Sequence, residues 1–505
     1  MINPKPARTR FAPSPTGRFH IGGARTALYD YLLAKQTGGQ FILRIEDTDQ
    51  KRYVPGAEEE IMNGLRWLGL HWDEGPDIEG PFAPYRQSER KEIYLDYAKQ
   101  LIQRGAAYRC FCSPQRLAAM RAEQQARKES IHYDGTCRNI DPDEAEKRAA
   151  RGEPHVIRFK MPKEGTITVH DALRGAIQVE NQNLDDYILV KSDGLALYHL
   201  ACIVDDHLMN ITHVLRGSEW LSTFPLHSHI YRAFGWDEPQ WIHLSVFLKP
   251  SGKGKMSKRD AAQMMQDGFS IFVTDLKEMG YLPEAVNNWV ALMGWGITET
   301  TTDSSISNVY SLDELIQLFN INHLNPSAAA INISKMDYFN GEHIRRLSVD
   351  DLTQRLRPFF SKAGFDMENP NNLNLLQRIV PIIQIRITTL DDAIDMAGFF
   401  FRSDVHPNRE QLIAKNLTPA ESAAAAKRAY EILSQLPEIN SQTAEQPLRS
   451  LAEELHISVG QLFGILRVAV TGQPVSPPLL ESMEIIGKET VLRRIKKAIQ
   501  LLEGN

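Results

Sequence analysis

The first 45 residues of this chain are arranged as a strand, a helix and a second strand. We predict a strand from Thr9 to Ala12, ended by Pro13, then a helix that begins at Ile21, and a second strand from Phe41 to Ile45. Two strands joined by a helix form a βαβ unit with parallel strands. The loop before the helix then lies at the carboxyl edge of a parallel sheet, where nucleotides bind. This stretch therefore predicts an α/β fold with a nucleotide site.

The loop itself lacks the two common glycine-rich phosphate motifs, G-x-x-x-x-G-K-[ST] and G-x-G-x-x-G. It offers His20 one residue before the helix, and Gly22 and Gly23 in the first turn. We expect free backbone N–H groups and the positive end of the helix dipole to meet an anion there. On the loop alone, a capped helix with a surface histidine is an equally good interpretation.

A second basic loop lies far downstream, at Ser251 to Arg259, with the sequence S-G-K-G-K-M-S-K-R. Its four cations are Lys253, Lys255, Lys258 and Arg259. Taken alone, such a run is typical of a solvated loop.

Together, H-I-G-G at residues 20–23 and K-M-S-K-R at residues 255–259 resemble the paired signatures HIGH and KMSKS of class I aminoacyl-tRNA synthetases. The chain is similar to the bacterial glutamyl-tRNA synthetases nearly end to end. Gly23 stands where the class pattern has a second histidine, as is common in that family. The matching blocks are A-P-S-P-T-G-x-x-H-I-G-G, R-I-E-D-T-D, Y-R-Q-S-E-R, Y-H-L-A-C-I-V-D-D-H and G-Y-L-P-E-A.

The resemblance implies a fold and a domain order. We expect an α/β protein with a Rossmann-like parallel nucleotide-binding sheet, an inserted α+β domain that holds the acceptor end of tRNA, and an all-α C-terminal anticodon-binding cage. The expected boundaries are 1–109 and 185–331 for the two catalytic parts, 110–184 for the insertion, and 332–505 for the helical cage, which is split near residue 400. Within the insertion, Ser113-Pro114 and Asp141-Pro142 are each expected to start a helix.

The resemblance also implies the activity of a glutamate–tRNA ligase. L-glutamate reacts with ATP to give glutamyl-adenylate, and the glutamyl group is transferred to the 3′ terminal adenosine of tRNA(Glu). The chemistry needs positioning and charge neutralisation, with Mg²⁺ sharing the load, and no protein nucleophile. His20, Lys255 and Lys258 are the expected catalytic residues. The expected ATP-binding residues are Pro13, Thr16, Gly17, His20, Gly22, Gly23, Lys255, Met256, Ser257, Lys258 and Arg259.

Choosing glutamate requires a fixed cation for its γ-carboxylate, and a bidentate arginine suits that geometry. By resemblance, Arg10 is that arginine, with Arg216 and Tyr198 as helpers. Glu46 matches the acid that holds the α-ammonium group, and Ser14 matches a nearby hydrogen-bonding position.

Three cysteines in the expected insertion, Cys110, Cys112 and Cys137, have spacings compatible with a zinc site. Family members that bind zinc often have a histidine two residues after the third cysteine, where this chain has Asn139. Tyr133 is a possible fourth ligand, as in some close relatives. Three reduced thiols without a metal remain the alternative.

Composition limits the remaining classes of protein. The chain has 505 residues, 42% of them hydrophobic and 24% charged, which is too long for a single core. The net charge of −6 does not exclude nucleic-acid binding, because residues 1–52 hold nine Lys or Arg against four Asp or Glu. Four cysteines and the lack of long apolar runs argue against a disulfide scaffold and a membrane span. We expect a cytoplasmic monomer.

The second half is expected to change from strands to helices. We predict strands at Asp186–Val190, Ala196–Leu200 and Ile211–Arg216, with Tyr198 and Arg216 at strand ends. Residues 298–307 are expected to form a polar loop, and beyond about residue 332 we expect helices only. Thr418 should cap one of them through a capping box.

The last predicted helix, residues 487–502, turns its apolar stripe inward. Its cations Arg493, Arg494, Lys496 and Lys497 are assigned to the other faces. Arg386 stands where an anticodon-reading arginine is expected by resemblance.

Two alternatives stay open. One is a non-discriminating enzyme that also charges tRNA(Gln). The other is a catalytically inactive tRNA-binding paralogue. This alternative is disfavoured because the chain keeps all four of the residues His20, Glu46, Lys255 and Lys258.

Overall fold

A computed structural model of the chain describes residues 5–256, 258–266, 268–296 and 308–504, with no side chains for residues 258, 259 and 262. The chain forms two compact units. The first comprises Met1–Leu276 and Val286–Ile333, and the second comprises Lys277–Ala285 and Ser334–Asn505. The predicted polar loop at 298–307 lies outside the described residues.

The described strands all belong to the first unit. They are β1 (Arg8–Phe11), β2 (Gln40–Leu43), β3 (Ala107–Cys110), β4 (Val156–Phe159), β5 (Thr166–Asp171), β6 (Gly175–Glu180), β7 (Ile188–Val190), β8 (His213–Gly217), β9 (Gln240–Leu244), β10 (Phe247–Leu248) and β11 (Ala329–Ala330).

The helices up to residue 318 include those that flank these strands. They are α1 (Ile21–Gln36), α2 (Ala57–Trp67), α3 (Lys91–Gln103), α4 (Pro114–Ala126), α5 (Pro142–Ala150), α6 (Tyr198–Leu208), α7 (Phe224–Phe234), α8 (Lys258–Gln266), α9 (Val273–Glu278), α10 (Pro283–Leu292) and α11 (Leu312–Leu318).

The predicted βαβ unit is confirmed, because β1 pairs with β2 in parallel across α1. A second parallel pair, β8 and β9, adjoins the first where the Thr212 amide donates to the Arg8 carbonyl at 2.9 Å. Strand β5 runs parallel to β9 on its other side, with Asp171 opposite Trp241. The carboxyl ends of β1, β8 and β9 therefore lie along one edge, and β5 runs in the same direction but ends opposite Trp241, three residues before the end of β9.

Helix α1 packs closely against this sheet, and the chain that follows it passes close to the backbone at Ala7. Ile21, Ala24, Leu28 and Leu32 are buried on one stripe of the helix. A Cβ atom on Gly39 would lie 1.9 Å from the Ala7 carbonyl oxygen, so only glycine fits where the chain enters β2.

The predicted strand at Ala196–Leu200 is wrong. Ala196 makes a single antiparallel bridge to Val190, and α6 then begins at Tyr198, which is therefore the first residue of a helix and not the end of a strand. A short apolar run cannot be assigned to a strand or a buried helix by periodicity alone. The run continues through Cys202 to Val204, buried in the core, as a helix.

The segment between the two parallel pairs contains antiparallel structure. Strands β3, β4 and β7 form one antiparallel sheet, and β5 and β6 form a hairpin. The predicted starts of α4 and α5 are confirmed, since Ser113 and Asp141 cap them and a proline follows each cap.

The second unit is helical, with no strand in the described part from 334 to 504. The helices from residue 333 onward are α12 (Ile333–Arg346), α13 (Val349–Lys362), α14 (Pro370–Ile383), α15 (Asp392–Ala397), α16 (Arg409–Leu412), α17 (Pro419–Gln435), α18 (Ser441–Glu454), α19 (Val459–Thr471), α20 (Leu479–Ile486) and α21 (Lys488–Glu503).

The predicted capping box at the start of α17 is confirmed, with Thr418 and Glu421 bonded reciprocally. One assignment on α21 is wrong, because Arg494 is buried. Its guanidinium donates to the carbonyls of Val470 at 2.8 Å and Phe399 at 3.0 Å. Carbonyls near helix ends lack partners inside the helix, and a buried arginine satisfies them.

Candidate active site

A cavity of about 760 Å³ opens at the carboxyl ends of β1 and β8. All five residues predicted to bind the amino acid line it, as does Thr16 from the predicted ATP set. The five are Arg10, Ser14, Glu46, Tyr198 and Arg216. Sequence positions almost 210 residues apart thus meet in one cavity because β1 and β8 adjoin in the sheet. We call it the amino-acid cavity.

Arg10 is held firmly at the end of β1, with only 4% of its surface exposed. Its Nε and Nη2 atoms donate to the two carboxylate oxygens of Asp206 at 3.0 and 3.4 Å, and Nη1 donates to the Leu215 carbonyl at 3.2 Å. Burial by itself lowers the pKa of Arg10, but the carboxylates of Asp206 and Asp30 together outweigh burial and the charge of Arg44, and the pKa lies above its ordinary value. The orientation of Arg10 is therefore fixed before any ligand binds.

Glu46 is held by a second buried arginine. Arg44 donates from Nη2 to Glu46 at 3.0 Å and from Nη1 to Asp206 at 2.8 Å. Burial raises the pKa of Glu46, and the charges of Arg44 and Arg10 oppose that rise. Asp206 therefore links the supports of Arg10 and Glu46.

Behind this layer, Asp205 accepts hydrogen bonds from Arg90 at 2.7 Å, Gln87 at 2.9 Å and Tyr94 at 2.7 Å. Buried charges are costly unless they are paired and hydrogen-bonded. The floor of the amino-acid cavity meets that condition, because its buried arginines are hydrogen-bonded to buried carboxylates.

Arg216 differs from Arg10 in its partners. Nε donates to His243 Nε2 at 3.0 Å, Nη1 donates to His227 Nδ1 at 2.8 Å, and the guanidinium lies 4.6 Å from the Trp241 ring centroid. Within the described part of the chain, Nη2 is buried without a hydrogen-bond partner and no carboxylate pairs with this arginine. Arg216 is thus a buried cation held by neutral groups.

A second cavity, of about 430 Å³, is lined by His20, Gly22, Gly23, Lys255 and Met256 from the predicted ATP set. We call it the nucleotide cavity. It shares Thr26 and Gly217 with the amino-acid cavity, so the two adjoin.

The first turn of α1 is capped by its own histidine. His20 Nδ1 accepts hydrogen bonds from the amides of Gly22 at 3.1 Å and Gly23 at 3.3 Å, and the Ile21 amide donates to the Ile271 carbonyl. The expectation of free N–H groups at this helix end is therefore wrong, since the cap occupies them. With Nδ1 as acceptor, a neutral His20 ring carries its proton on Nε2.

The basic loop begins with a tight turn after β10. The Met256 amide donates to the Phe247 carbonyl at 2.9 Å, and Lys255 makes an antiparallel bridge with Leu248. Lys255 is exposed. The predicted site residue Ser257 lies outside the described residues, as do the side chains of Lys258 and Arg259.

Pro13 and Gly17 line neither cavity among the described residues. The Pro13 carbonyl accepts the Glu46 amide at 2.9 Å, and Gly17 has a positive φ of 150° that favours glycine. Both shape the loop that carries Ser14 and Thr16.

Sequence reasoning missed several lining residues. Trp220 stacks on Tyr198 with ring centroids 4.1 Å apart, and Gly217 and Glu219 line the nucleotide cavity. Gly217 ends β8 and residues 218–220 directly follow it, so their place at the carboxyl edge was a usable signal. Lys191 to Asp193 carry no such signal, because they follow an antiparallel strand.

The three cysteines of the predicted metal site do come together. Their sulfur atoms all lie within 4.8 Å of one another, and Tyr133 Oη lies 3.4 Å from Cys110 Sγ and from Cys112 Sγ. Zn–S bonds of about 2.3 Å separate the sulfurs of a tetrahedral site by about 3.8 Å. Three thiols and a phenol therefore fit zinc.

Arg386, the predicted anticodon residue, is exposed three residues beyond the end of α14. None of the described helices combines the length and the apolar composition that crossing a membrane requires.

Two family models match the chain. Residues 6–338 match the catalytic domain of class I tRNA synthetases (E and Q), and residues 351–499 match an anticodon-binding domain. These matches confirm the expected order of an α/β catalytic part followed by a helical domain.

Curated relatives are similar over almost the whole chain. A glutamate–tRNA ligase of Roseiflexus castenholzii is 43% identical, covering 98% of this chain and 97% of the relative. One from Thermus thermophilus is 42% identical, covering 97% and 99%. A crystal structure of a glutamate–tRNA ligase from Elizabethkingia meningosepticum in complex with its amino acid has a TM-score of 0.86 at 38% identity, covering 98% of this chain and 99% of that one.

Proposed function

This chain belongs to the glutamate–tRNA ligase family of class I aminoacyl-tRNA synthetases, and we propose that its two adjoining cavities carry out glutamate activation. In the first step the α-carboxylate of L-glutamate attacks the α-phosphorus of ATP and pyrophosphate leaves. In the second step a ribose hydroxyl of the terminal adenosine of tRNA(Glu) attacks the glutamyl-adenylate and AMP leaves. The shared wall at Thr26 and Gly217 is where the two reactants would meet.

The amino-acid cavity suits glutamate because it is lined both by an acid, Glu46, and by a cation, Arg216, that has no carboxylate partner in the described part of the chain. Glu46 would hold the α-ammonium group. Arg216, and not Arg10 as the resemblance implies, would be the main partner of the γ-carboxylate, because its charge has no carboxylate partner among the described residues whereas that of Arg10 is matched by Asp206. That difference is the observation that carries the assignment. Arg10, Ser14 and Tyr198 would complete the contacts.

Glutamine would be rejected at this step. Its γ-amide carries no charge, so Arg216 would stay desolvated and without a counter-ion. A site discriminates strongly against a substrate that leaves one of its buried polar groups without a hydrogen bond.

ATP would lie in the nucleotide cavity between α1 and the basic loop. His20 is oriented by its hydrogen bonds to the first turn of α1, and Lys255 lines the same cavity. Together with Lys258, Arg259 and Mg²⁺, they would neutralise the charge that grows on the phosphates. Pro13, Thr16, Gly17, Gly22, Gly23, Met256 and Ser257 would shape this side of the site.

The remaining assignments concern tRNA and zinc. Residues 110–184 would hold the acceptor end, and residues 332–505, divided near 400, would read the anticodon with Arg386 among the contacts. Zinc on Cys110, Cys112, Cys137 and Tyr133 would cross-link two segments of the acceptor-binding part and take no part in the reaction.

ATP–pyrophosphate exchange tests this assignment. Purified protein is given L-glutamate or L-glutamine with tRNA(Glu), tRNA(Gln) or no tRNA. We expect exchange with glutamate, and transfer to tRNA(Glu). Equal transfer to tRNA(Gln) would show the non-discriminating form, whereas no exchange from protein that binds tRNA would leave only the inactive paralogue.

A further inference from the structure

A row of polar side chains crosses three neighbouring parallel strands beside the amino-acid cavity. Asp171 ends β5, His243 lies near the end of β9, and Arg216 lies near the end of β8. Arg216 is directly opposite His243 in the parallel register. Asp171 Oδ2 lies 2.7 Å from His243 Nδ1, and His243 Nε2 lies 3.0 Å from Arg216 Nε.

The row continues from Arg216 onto two helices. Arg216 Nη1 lies 2.8 Å from His227 Nδ1 on α7, and His227 Nε2 lies 3.0 Å from His199 Nδ1 on α6. Asp171, His243, Arg216 and His227 are all at least 95% buried. We call these five side chains the histidine relay.

The position of the arginine determines the proton positions in the relay. A guanidinium has five N–H donors and no acceptor, so both rings that face it must present a lone pair. His243 accepts on Nε2, and its proton therefore sits on Nδ1 and is donated to Asp171. His227 accepts on Nδ1, and its proton therefore sits on Nε2 and is donated to His199 Nδ1. Both rings are neutral.

Burial is consistent with neutral rings. Burial lowers the pKa of His243 to about 4, with the charges of Arg216 and Arg174 adding to that effect while Asp171 opposes it. The pKa of His227 is also far below its ordinary value, through burial and the charges of Arg216, His199, His243 and Arg10. Burial and Arg216 lower the pKa of His199 to about 4.

We propose that His243 and His227, supported by Asp171 and His199, are positioning residues that hold the Arg216 guanidinium by Nε and Nη1 and leave Nη2 for a carboxylate of the amino acid. This inference rests on the proposed function of the amino-acid cavity. Neutral acceptors orient the arginine without neutralising it, whereas a carboxylate at either position would compete with the substrate. Trp241 covers the guanidinium and limits its tilt.

Two substitutions at His243 and one control test the proposal by enzyme kinetics. His243→Leu removes the acceptor for Arg216 Nε, and His243→Gln keeps an acceptor close to the Nε2 position. His229→Gln is the control, because the pKa of His229 is also lowered to about 4 mainly by burial, while His229 lies on α7 and bonds Asn181 and not Arg216.

In glutamate-dependent ATP–pyrophosphate exchange with tRNA(Glu) present, we expect His243→Leu to raise KM for glutamate about 30- to 100-fold with KM for ATP changed less than about threefold. His243→Gln should recover most of the loss, and His229→Gln should match the parent protein. An unchanged KM for glutamate in His243→Leu, or equal losses for both substrates in both His243 variants, would overturn the proposal. No exchange from the parent protein would instead refute the proposed function.

A second measurement needs no activity. Nitrogen-15 NMR of the full chain labelled at histidine reads the tautomer of each ring at pH 7, and the His243 signals are those lost in His243→Gln. We expect a neutral His243 ring with its proton on Nδ1. In Asp171→Asn the guanidinium of Arg216 still requires a lone pair on His243 Nε2 and the amide oxygen can still accept, so the proton should stay on Nδ1. A charged ring, or a proton on Nε2 in the parent protein, would contradict the relay whether or not the enzyme is active.

Discussion

The two cavities differ in how their functional groups are held. The amino-acid cavity rests on buried charged side chains, each fixed by several partners, such as Arg44 between Glu46 and Asp206. The nucleotide cavity relies on backbone shape, with glycines at 22 and 23, and on two exposed side chains, His20 and Lys255. A rigid, desolvated site suits selection between similar amino acids, because a mismatch leaves a buried charge unpaired. Exposed groups near a loop suit a polyphosphate whose charge changes during the reaction.

Removing Arg216 should have the largest effect on activity, and the effect should be confined to the amino-acid cavity. We expect Arg216→Ala to lower kcat/KM for glutamate by about 10³- to 10⁴-fold, because a buried charge pair with the substrate is lost. KM for ATP should change little. Steady-state exchange kinetics with each substrate varied in turn measure both effects.

The matched control is Arg104→Ala, which removes an arginine of the same unit that bonds the carbonyls of Ala233 and Phe234 away from both cavities. Equal losses for glutamate and ATP in Arg216→Ala would remove the distinction between the two cavities.

Asp206→Asn tests whether the rigidity of the amino-acid cavity comes from paired buried charges. Asp206 is fully buried between Arg10 and Arg44, and although burial raises its pKa, the two arginines lower it below the ordinary value. Losing this anion leaves two guanidiniums with too little negative charge. We expect a loss of about 3–5 kcal/mol in the free energy of unfolding, measured by urea denaturation.

Asp73→Asn is the comparison variant, because Asp73 forms a half-exposed ion pair with Lys35. Its loss should be about 1 kcal/mol or less. Similar losses in the two variants would mean that burial adds nothing to the Asp206 pairs.

Lowering the pH should reduce the stability of the folded chain through the buried histidines beside the amino-acid cavity. His243 and His199 have pKa values of about 4 in the folded chain, lowered mainly by burial, against an ordinary 6.5. Between pH 6.5 and 4 the unfolded chain binds protons that the folded chain does not, so stability falls as pH falls through that window and is retained above it. We expect a loss of about 1–3 kcal/mol per ring across the window, measured by urea denaturation at several pH values.

His243→Gln removes one of these rings, so its unfolding free energy should depend less steeply on pH than that of the parent protein. An identical pH dependence in the two proteins would show that folding does not lower the pKa of His243.

Sequence patterns predicted the βαβ unit, the caps at Ser113, Asp141 and Thr418, and the helical second half, because these depend on residues close in the chain. The resemblance to the family identified cavity-lining residues that lie far apart in the chain, such as Arg10 and Arg216. Neither source indicated the histidine relay, since His243, His227 and Asp171 meet only through the pairing of β5, β9 and β8 and the packing of α7. Two predictions, the strand at Ala196–Leu200 and the exposure of Arg494, were wrong for the same reason, because burial in the folded chain determines both.

The smallest expected effect probes the nucleotide cavity through its backbone. A Cβ atom on Gly22 would lie 3.0 Å from His20 Cε1 and Nδ1, so Gly22→Ala should displace the ring that caps α1. We expect kcat to fall about tenfold with KM for glutamate unchanged, because a displaced His20 stabilises the phosphates less well while the amino-acid cavity stays intact. The control is Gly464→Ala within α19, where a Cβ atom would meet nothing within 4 Å. That variant should keep full activity and gain about 0.5–1 kcal/mol of stability from helix propensity. If Gly22→Ala instead raised KM for glutamate, the first turn of α1 would belong to the amino-acid cavity. The boundary between the rigid amino-acid cavity and the open nucleotide cavity would then lie at His20 and not at Thr26.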